Sequence, residues 1–146
     1  MSAPVFRPSH VGVCVTDLEA SLRFWCDGLG FERLHAFTLT SEQVPGIGPA
    51  LEVDGPVALT SQMVRLGALT VELIAYERPA AAGTPSTSRG QLGLTHVSLL
   101  VDDVDAAAAH AVSYGGTLLP GTRQDLGIAV VFLADPDGTR VELMQG

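Results

Sequence analysis

The sequence contains no lysine: all eight of its basic residues are arginine, set against sixteen aspartates and glutamates for a formal charge of −8. That balance argues against binding to nucleic acid or any other polyanion. The missing lysine, beside abundant Ala, Gly, Val and Arg, reads as codon usage in a GC-rich genome and carries no chemistry. Cysteine is scarce too. Cys14 and Cys26 are the only two, neither sits in a C-x-x-C zinc or redox pattern, and both are expected to be reduced, partly buried thiols. No apolar run approaches the roughly 20 residues that span a bilayer. The start, MSAPVFRPSH, has neither a basic n-region nor an apolar h-region. A soluble, cytoplasmic protein that does not engage membranes is expected. GIG at Gly46–Gly48 has no strand-turn-helix context for a phosphate loop, and no G-x-S-x-G elbow exists to present a serine nucleophile.

What is present is a repetition. At 146 residues and 47% apolar content the chain is long enough for one core, or for two small modules that share one. SHVGVCVTDLEA (Ser9–Ala20) and LTHVSLLVDDVDAA (Leu94–Ala107) align with a shift of 86, which matches His10 with His96, Asp17 with Asp103 and Gly30 with Gly116. Further on, TVELIAY (Thr70–Tyr76) and RVELMQ (Arg140–Gln145) share Val-Glu-Leu at a shift of 70, so the first half carries about sixteen extra residues. These fall in SEQVPGIGPALEVDGP (Ser41–Pro56), whose prolines and glycines indicate a long loop of the kind that often forms a lid.

Each half opens with a β-branched run, Val11–Val15 or Val97–Val101, followed by a helix start. Thr16 with Glu19 forms a T-x-x-E capping box, and Asp102 or Asp103 can cap VDAAAAHAVSYGG. Gly28 and Gly30 end the first helix, Gly115 and Gly116 the second. Three short strands follow in each half, with DPDG (Asp135–Gly138) turning between the last two. The expected architecture is α+β: two tandem βαβββ modules, about 5–76 and 92–145, forming one domain around a mostly antiparallel, cup-shaped sheet with helices outside. ERPAAAGTPSTSRGQ (Glu77–Gln91) links them.

Alternation along a strand places residues i and i+2 on one face. His10 then shares a face with Gly12 and Cys14, and His96 with Ser98 and Leu100, while the valines between them turn towards the helices. In the last strands Glu72 goes with Ile74 and Tyr76, and Glu142 with Arg140 and Met144. Each half thus offers one histidine and one glutamate on its uncovered face. A lone His or Glu on a strand is ordinarily a satisfied or solvent-facing polar residue. Four in repeat-related positions make a ligand set for a divalent first-row metal (Zn, Ni, Co, Mn or Fe) that leaves positions open for a chelating carbonyl substrate. His35 and His110 lack that support, since the shift pairs them with Gly121 and Phe24. Asp102, Asp103 and Asp105 read as helix-start carboxylates, and Leu22, Phe24 and Trp25 as core.

Paired modules carrying HVGVCVTDLEASLRFWCDGLGFE, TVELIAYERP, LTHVSLLVDDVDAA and FLADPDGTRVELMQ resemble the vicinal oxygen chelate superfamily of glyoxalases, methylmalonyl-CoA epimerases, extradiol dioxygenases and bleomycin-resistance proteins. The resemblance covers nearly the whole chain. It implies one divalent metal per site held by His10, Glu72, His96 and Glu142, the quartet of the glyoxalase and epimerase branches. It also implies proton abstraction next to a carbonyl by Glu142 or Glu72, and a homodimer whose modules pair within a chain or across two. Cys14, Ser98 and Tyr76 are expected to line the pocket, with Ile74 and Met144 as apolar wall and Glu42 and Glu52 as weaker acid-base candidates. Three other classes fit the superfamily: an iron-dependent dioxygenase using two histidines and one carboxylate, an antibiotic-binding resistance protein without metal, and an epoxide-opening lyase or transferase, which usually has three ligands.

Overall fold

Val11–Val15 forms β1 because its β-branched residues alternate with small ones, and the valines face inward: Val13 and Val15 are buried while Gly12 and Cys14 are exposed. The computed structural model describes all residues, Met1–Gly146. Helix α1 (Leu18–Leu22) follows, widening without a break into a π-helical turn over Arg23–Gly28 that buries the consecutive rings of Phe24 and Trp25. Strands β2 (Glu32–Thr40), β3 (Ala58–Leu66) and β4 (Leu69–Arg78) complete the first module. The second repeats the plan with β5 (Val97–Val101), α3 (Val104–Ser113), β6 (Thr117–Leu118), β8 (Ala129–Ala134) and β9 (Arg140–Gln145). A two-residue strand, β7 (Gln124–Asp125), pairs with β8 and has no counterpart in the first half.

The two sheets share one topology. Their orders are β1-β4-β3-β2 and β5-β9-β8-β6, with the first strand parallel to the last and the other pairs antiparallel. Registers repeat as well: Gly12 stands opposite Glu72, and Ser98 opposite Glu142. The expected βαβββ pair is therefore present as a four-stranded and a five-stranded sheet, neither closed into a barrel. No helix is long and apolar enough to cross a membrane.

One apolar core joins the halves. Val13, Trp25, Val71 and Leu73 of the first module belong to the same buried cluster as Val104, Ala111, Val131 and Leu143 of the second. Polar contacts fasten it. Trp25 Nε1 donates to Asp135 Oδ2 at 3.2 Å, and the Asp135 carboxylate also accepts the backbone N–H groups of Asp137 and Thr139. Burial pushes the Asp135 carboxyl above the ordinary carboxylate range, against these hydrogen bonds. Asp137 in turn accepts the backbone N–H (3.0 Å) and the hydroxyl (2.5 Å) of Thr16.

That contact corrects the expected capping box. Asp17, not Thr16, caps α1, by accepting from Ala20 N, whereas Thr16 is spent on the other module. In the second half Asp103 takes the capping role, accepting from Asp105 and Ala106. The aligned Gly30 and Gly116 also differ in role. Gly30 is left-handed (φ 84°), but its counterpart in that conformation is Gly115 (φ 101°). Gly116 is there for closeness: a Cβ on it would stand 2.6 Å from Phe24 Cε2.

Residues 41–56 are less irregular than expected. They contain a one-turn helix, α2 (Ile47–Ala50), and their base is closed by hydrogen bonds between Ser41 and Val57. The connection between modules begins after Arg78, two residues past the expected end of the first module's last strand, and runs to β5. Cys14 is exposed and not partly buried, and Cys26 is half-buried; both thiols are free, as expected.

Candidate metal centre

His10 precedes β1 and Glu72 lies on the neighbouring β4, so parallel pairing brings them to one face. His10 Nε2 is 3.0 Å from Glu72 Oε2. The second module repeats the pair, with His96 Nε2 3.4 Å from Glu142 Oε2. Both imidazoles are held from behind: Ser9 Oγ is 2.8 Å from His10 Nδ1, and Thr95 Oγ1 is 2.8 Å from His96 Nδ1. A hydroxyl that accepts from Nδ1–H fixes the tautomer whose Nε2 carries a free lone pair, the support that metal-binding histidines commonly have. Ser9 and Thr95 themselves align at the shift of 86. The repeat itself thus carries the signal for these hydroxyls, one residue before each histidine.

The carboxylates are held differently. Ser61, fully buried on β3, donates to Glu72 Oε1 at 2.6 Å, so both oxygens of Glu72 are engaged. Ser98 donates to Glu142 Oε2 at 2.7 Å, the same oxygen that faces His96, which leaves Oε1 without a hydrogen bond. The difference follows from the strands. Ser98 stands opposite Glu142, but its counterpart Gly12 has no side chain, so Glu72 draws its support from β3 instead. Nothing in the alignment of the two halves marks Ser61, because the strand that carries it, β3, lies outside the repeated motifs.

A divalent ion fits these pairs. Two donors each about 2.1 Å from one ion stand about 3.0 Å apart at a right angle and about 3.4 Å apart at a tetrahedral angle, which spans the two gaps observed. The four residues do not meet within the chain, however. No three of its His, Cys, Asp and Glu side chains come together. The edge strands β1 and β5 are not hydrogen-bonded to each other and border a cleft of about 540 Å³. The four expected ligands thus stand as two separate His–Glu pairs, each facing solvent: the histidine side chains are 34% and 30% exposed.

Of the expected pocket residues, Cys14 and Ser98 line the cleft, whereas Tyr76 does not. Burial raises the Tyr76 hydroxyl's proton affinity, with smaller contributions from Cys14 and Glu72 nearby. Although Cys14 is exposed as a residue, partial desolvation of its sulfur, and after it the Asp137 carboxylate, raise the proton affinity of the thiol, which disfavours a reactive thiolate. Glu42 is exposed and lies 3.6 Å from Arg78, and Glu52 sits in a left-handed turn (φ 57°). Neither joins a His–Glu pair. His35 on β2 and His110 on α3 are exposed, apart from both pairs.

The fold and the doubled His–Glu arrangement define a chelate-type module pair. Residues 7–143 match the sequence model of the Glyoxalase/Bleomycin resistance protein/Dioxygenase superfamily, and the chain belongs to that superfamily. Among relatives, the chain is 32% identical over 141 residues to the uncharacterized protein YaeR of Escherichia coli (strain K12), covering 93% of each. It is 30% identical over 144 residues to the 2-epi-5-epi-valiolone epimerase of an Actinomyces species, covering 92% of this chain and 76% of that one. Among solved structures, a glyoxalase family protein from Bacillus cereus superposes with a TM-score of 0.80 at 17% identity, covering 98% and 95% of the two chains, a likeness of fold.

Proposed function

We propose that this protein is a divalent-metal-dependent isomerase or epimerase, or a glyoxalase-type lyase, that removes a proton next to a substrate carbonyl in the cytoplasm. The observation that carries the reading is the repeated His–Glu pair, each with its imidazole held at Nδ1 and Nε2 aimed at a carboxylate. The named epimerase among its relatives supports the reaction class. His10 and Glu72 of one protomer meet His96 and Glu142 of a second copy in a homodimer, so that each site draws both pairs. When bound there, a divalent ion would polarise the carbonyl and stabilise the enolate left by proton removal.

Glu142 is the base. Its Oε1 is free to take the proton while Oε2 stays tied to Ser98, whereas both oxygens of Glu72 are occupied and suit a fixed ligand. The apolar side chain of Met144, two residues along β9 on the same face, lowers the local polarity around the base. Ile74 does the same beside Glu72.

The test is hydrogen exchange. Metal-loaded protein in heavy water, without oxygen, should place deuterium at the carbon beside the carbonyl of 2-substituted acyl thioesters or hemithioacetals. Glu142→Gln should slow exchange about a hundredfold or more. Inversion or isomer formation is followed in parallel, because a site closed to water hides exchange. Oxygen consumption with ferrous iron would replace this reading with a dioxygenase, and tight binding of an unaltered compound would replace it with a resistance-type binding module.

A further inference from the structure

The cleft between β1 and β5 holds two arginines for which the proposed chemistry has no use. At about 540 Å³ it falls in the size range of small-molecule sites. Its walls are the two edge strands, the start of β9 and the connection around residues 85–95. Arg89 comes from that connection and Arg140 from β9, and no acidic residue lines the cleft although acidic residues outnumber basic ones two to one in the chain.

Three of the six other arginines are paired with carboxylates: Arg65 with Glu32, Arg78 with Glu42, and Arg123 with Asp105 and Asp125. Arg89 and Arg140 form no such pair. Backbone carbonyls hold them instead. Arg89 donates through Nη1 to Thr95 O and through Nη2 to Ser86 O, and Arg140 Nη1 donates to Gly138 O at 2.8 Å. Two of the anchors come from segments that touch: a Cβ at Gly138, whose carbonyl holds Arg140, would stand 3.4 Å from the ring of Pro85, the residue before Ser86, whose carbonyl holds Arg89.

A guanidinium has five N–H donors, and the anchors use two on Arg89 and one on Arg140. The rest are oriented in advance, in a partly enclosed space, with no carboxylate of the protein to satisfy them. Such a group suits a carboxylate or phosphate oxygen, because the ordering cost has been met before the ligand arrives. We propose that Arg89 and Arg140 bind the anionic end, a carboxylate or a phosphate, of a small molecule in this cleft. Val11, Val13 and Leu94 supply apolar wall for the segment next to that end. His96 and Ser98 line the same cleft, which places the other end of the molecule towards the His96–Glu142 pair. This last clause rests on the proposed function; the anion site does not.

The test therefore uses metal-free, chelator-treated protein, with inorganic phosphate, succinate and the neutral succinamide as probes in calorimetric titrations. Phosphate or succinate should bind in the millimolar range and succinamide should not, and the preferred anion identifies the end group. Arg140→Gln and Arg89→Gln should each weaken that binding about tenfold, whereas Arg7→Gln, which removes an exposed arginine outside the cleft, should leave it unchanged. Circular dichroism checks the fold of each variant, and Arg140→Gln alone decides the matter where loss of the Arg89 anchors disturbs the connection. Absence of anion binding at about 50 mM, equal binding of succinamide, or an equal loss in Arg7→Gln would each overturn the assignment. Since no metal is present, these results are independent of whether the exchange reaction occurs.

Discussion

Mixing two inactive variants tests whether a second chain completes the site. His10→Ala and His96→Ala each remove one ligand from a different module, and both side chains are about one-third exposed, so neither truncation opens a core cavity. In a dimer whose sites each combine the first module of one protomer with the second of the other, both homodimeric variants lose one ligand from both sites. A heterodimer behaves otherwise. One of its sites lacks both histidines, and the other draws His10 and Glu72 from the His96 variant and His96 and Glu142 from the His10 variant, so it is whole. Random pairing from an equal mixture makes about half of the dimers mixed, so about a quarter of the wild-type sites should return. The variants are co-refolded, heterodimers are counted by native mass spectrometry with one chain tagged, and bound metal is read by elemental analysis beside the exchange rate. Wild-type protein should hold one ion per chain, and either variant alone should hold little. Mixed dimers with no gain over the separate variants would refute the shared site, and a single variant that kept full stoichiometry would strike its histidine from the ligand set.

Other perturbations follow from the same contacts. Gly116→Ala puts a methyl 2.6 Å from the ring of fully buried Phe24 and 3.0 Å from Ala111 O, and should cost about 1–3 kcal/mol, read as a drop in Tm of several degrees. Ser61→Ala strips Glu72 Oε1 of its buried donor and should weaken metal binding about tenfold in a chelator competition, whereas Ser98→Ala should do less because Ser98 is exposed and water can take the place of its hydroxyl. Burial lifts the Asp135 carboxyl above its unfolded value, so folding takes up a proton between those two values and this group's contribution to stability falls as pH rises through that window. Asp135→Ala should remove that slope from denaturant melts across pH, and should itself cost about 3 kcal/mol because Trp25 Nε1 and two backbone N–H groups lose their acceptor.

Much of this protein was legible as a string. The shift of 86 identified two modules, the alternation around His10 and His96 sorted core valines from the open face, and Val-Glu-Leu at a shift of 70 marked Glu72 and Glu142. These features are readable because they are local: strand alternation and helix capping depend on neighbours a few residues apart, and a duplicated module repeats them in the same frame. The signal failed where a side chain's partner is remote. Thr16 has the sequence of a cap but bonds Asp137, 121 residues away. Ser61 supports Glu72 from a strand that no motif ties to it, and Arg89, in a connection that reads only as a linker, lines the same cleft as Arg140.

The candidate ligand types and the faces they occupy were therefore set by composition and period, which the backbone geometry of a single strand enforces. Whether the four ligands gather was not. That depends on how the edges of β1 and β5 lie relative to each other, and the core that sets their separation is built from Trp25, Asp135, Gly116 and the valines of both halves, residues far apart in the chain. Only the packed structure shows that the two His–Glu pairs stand apart within one chain.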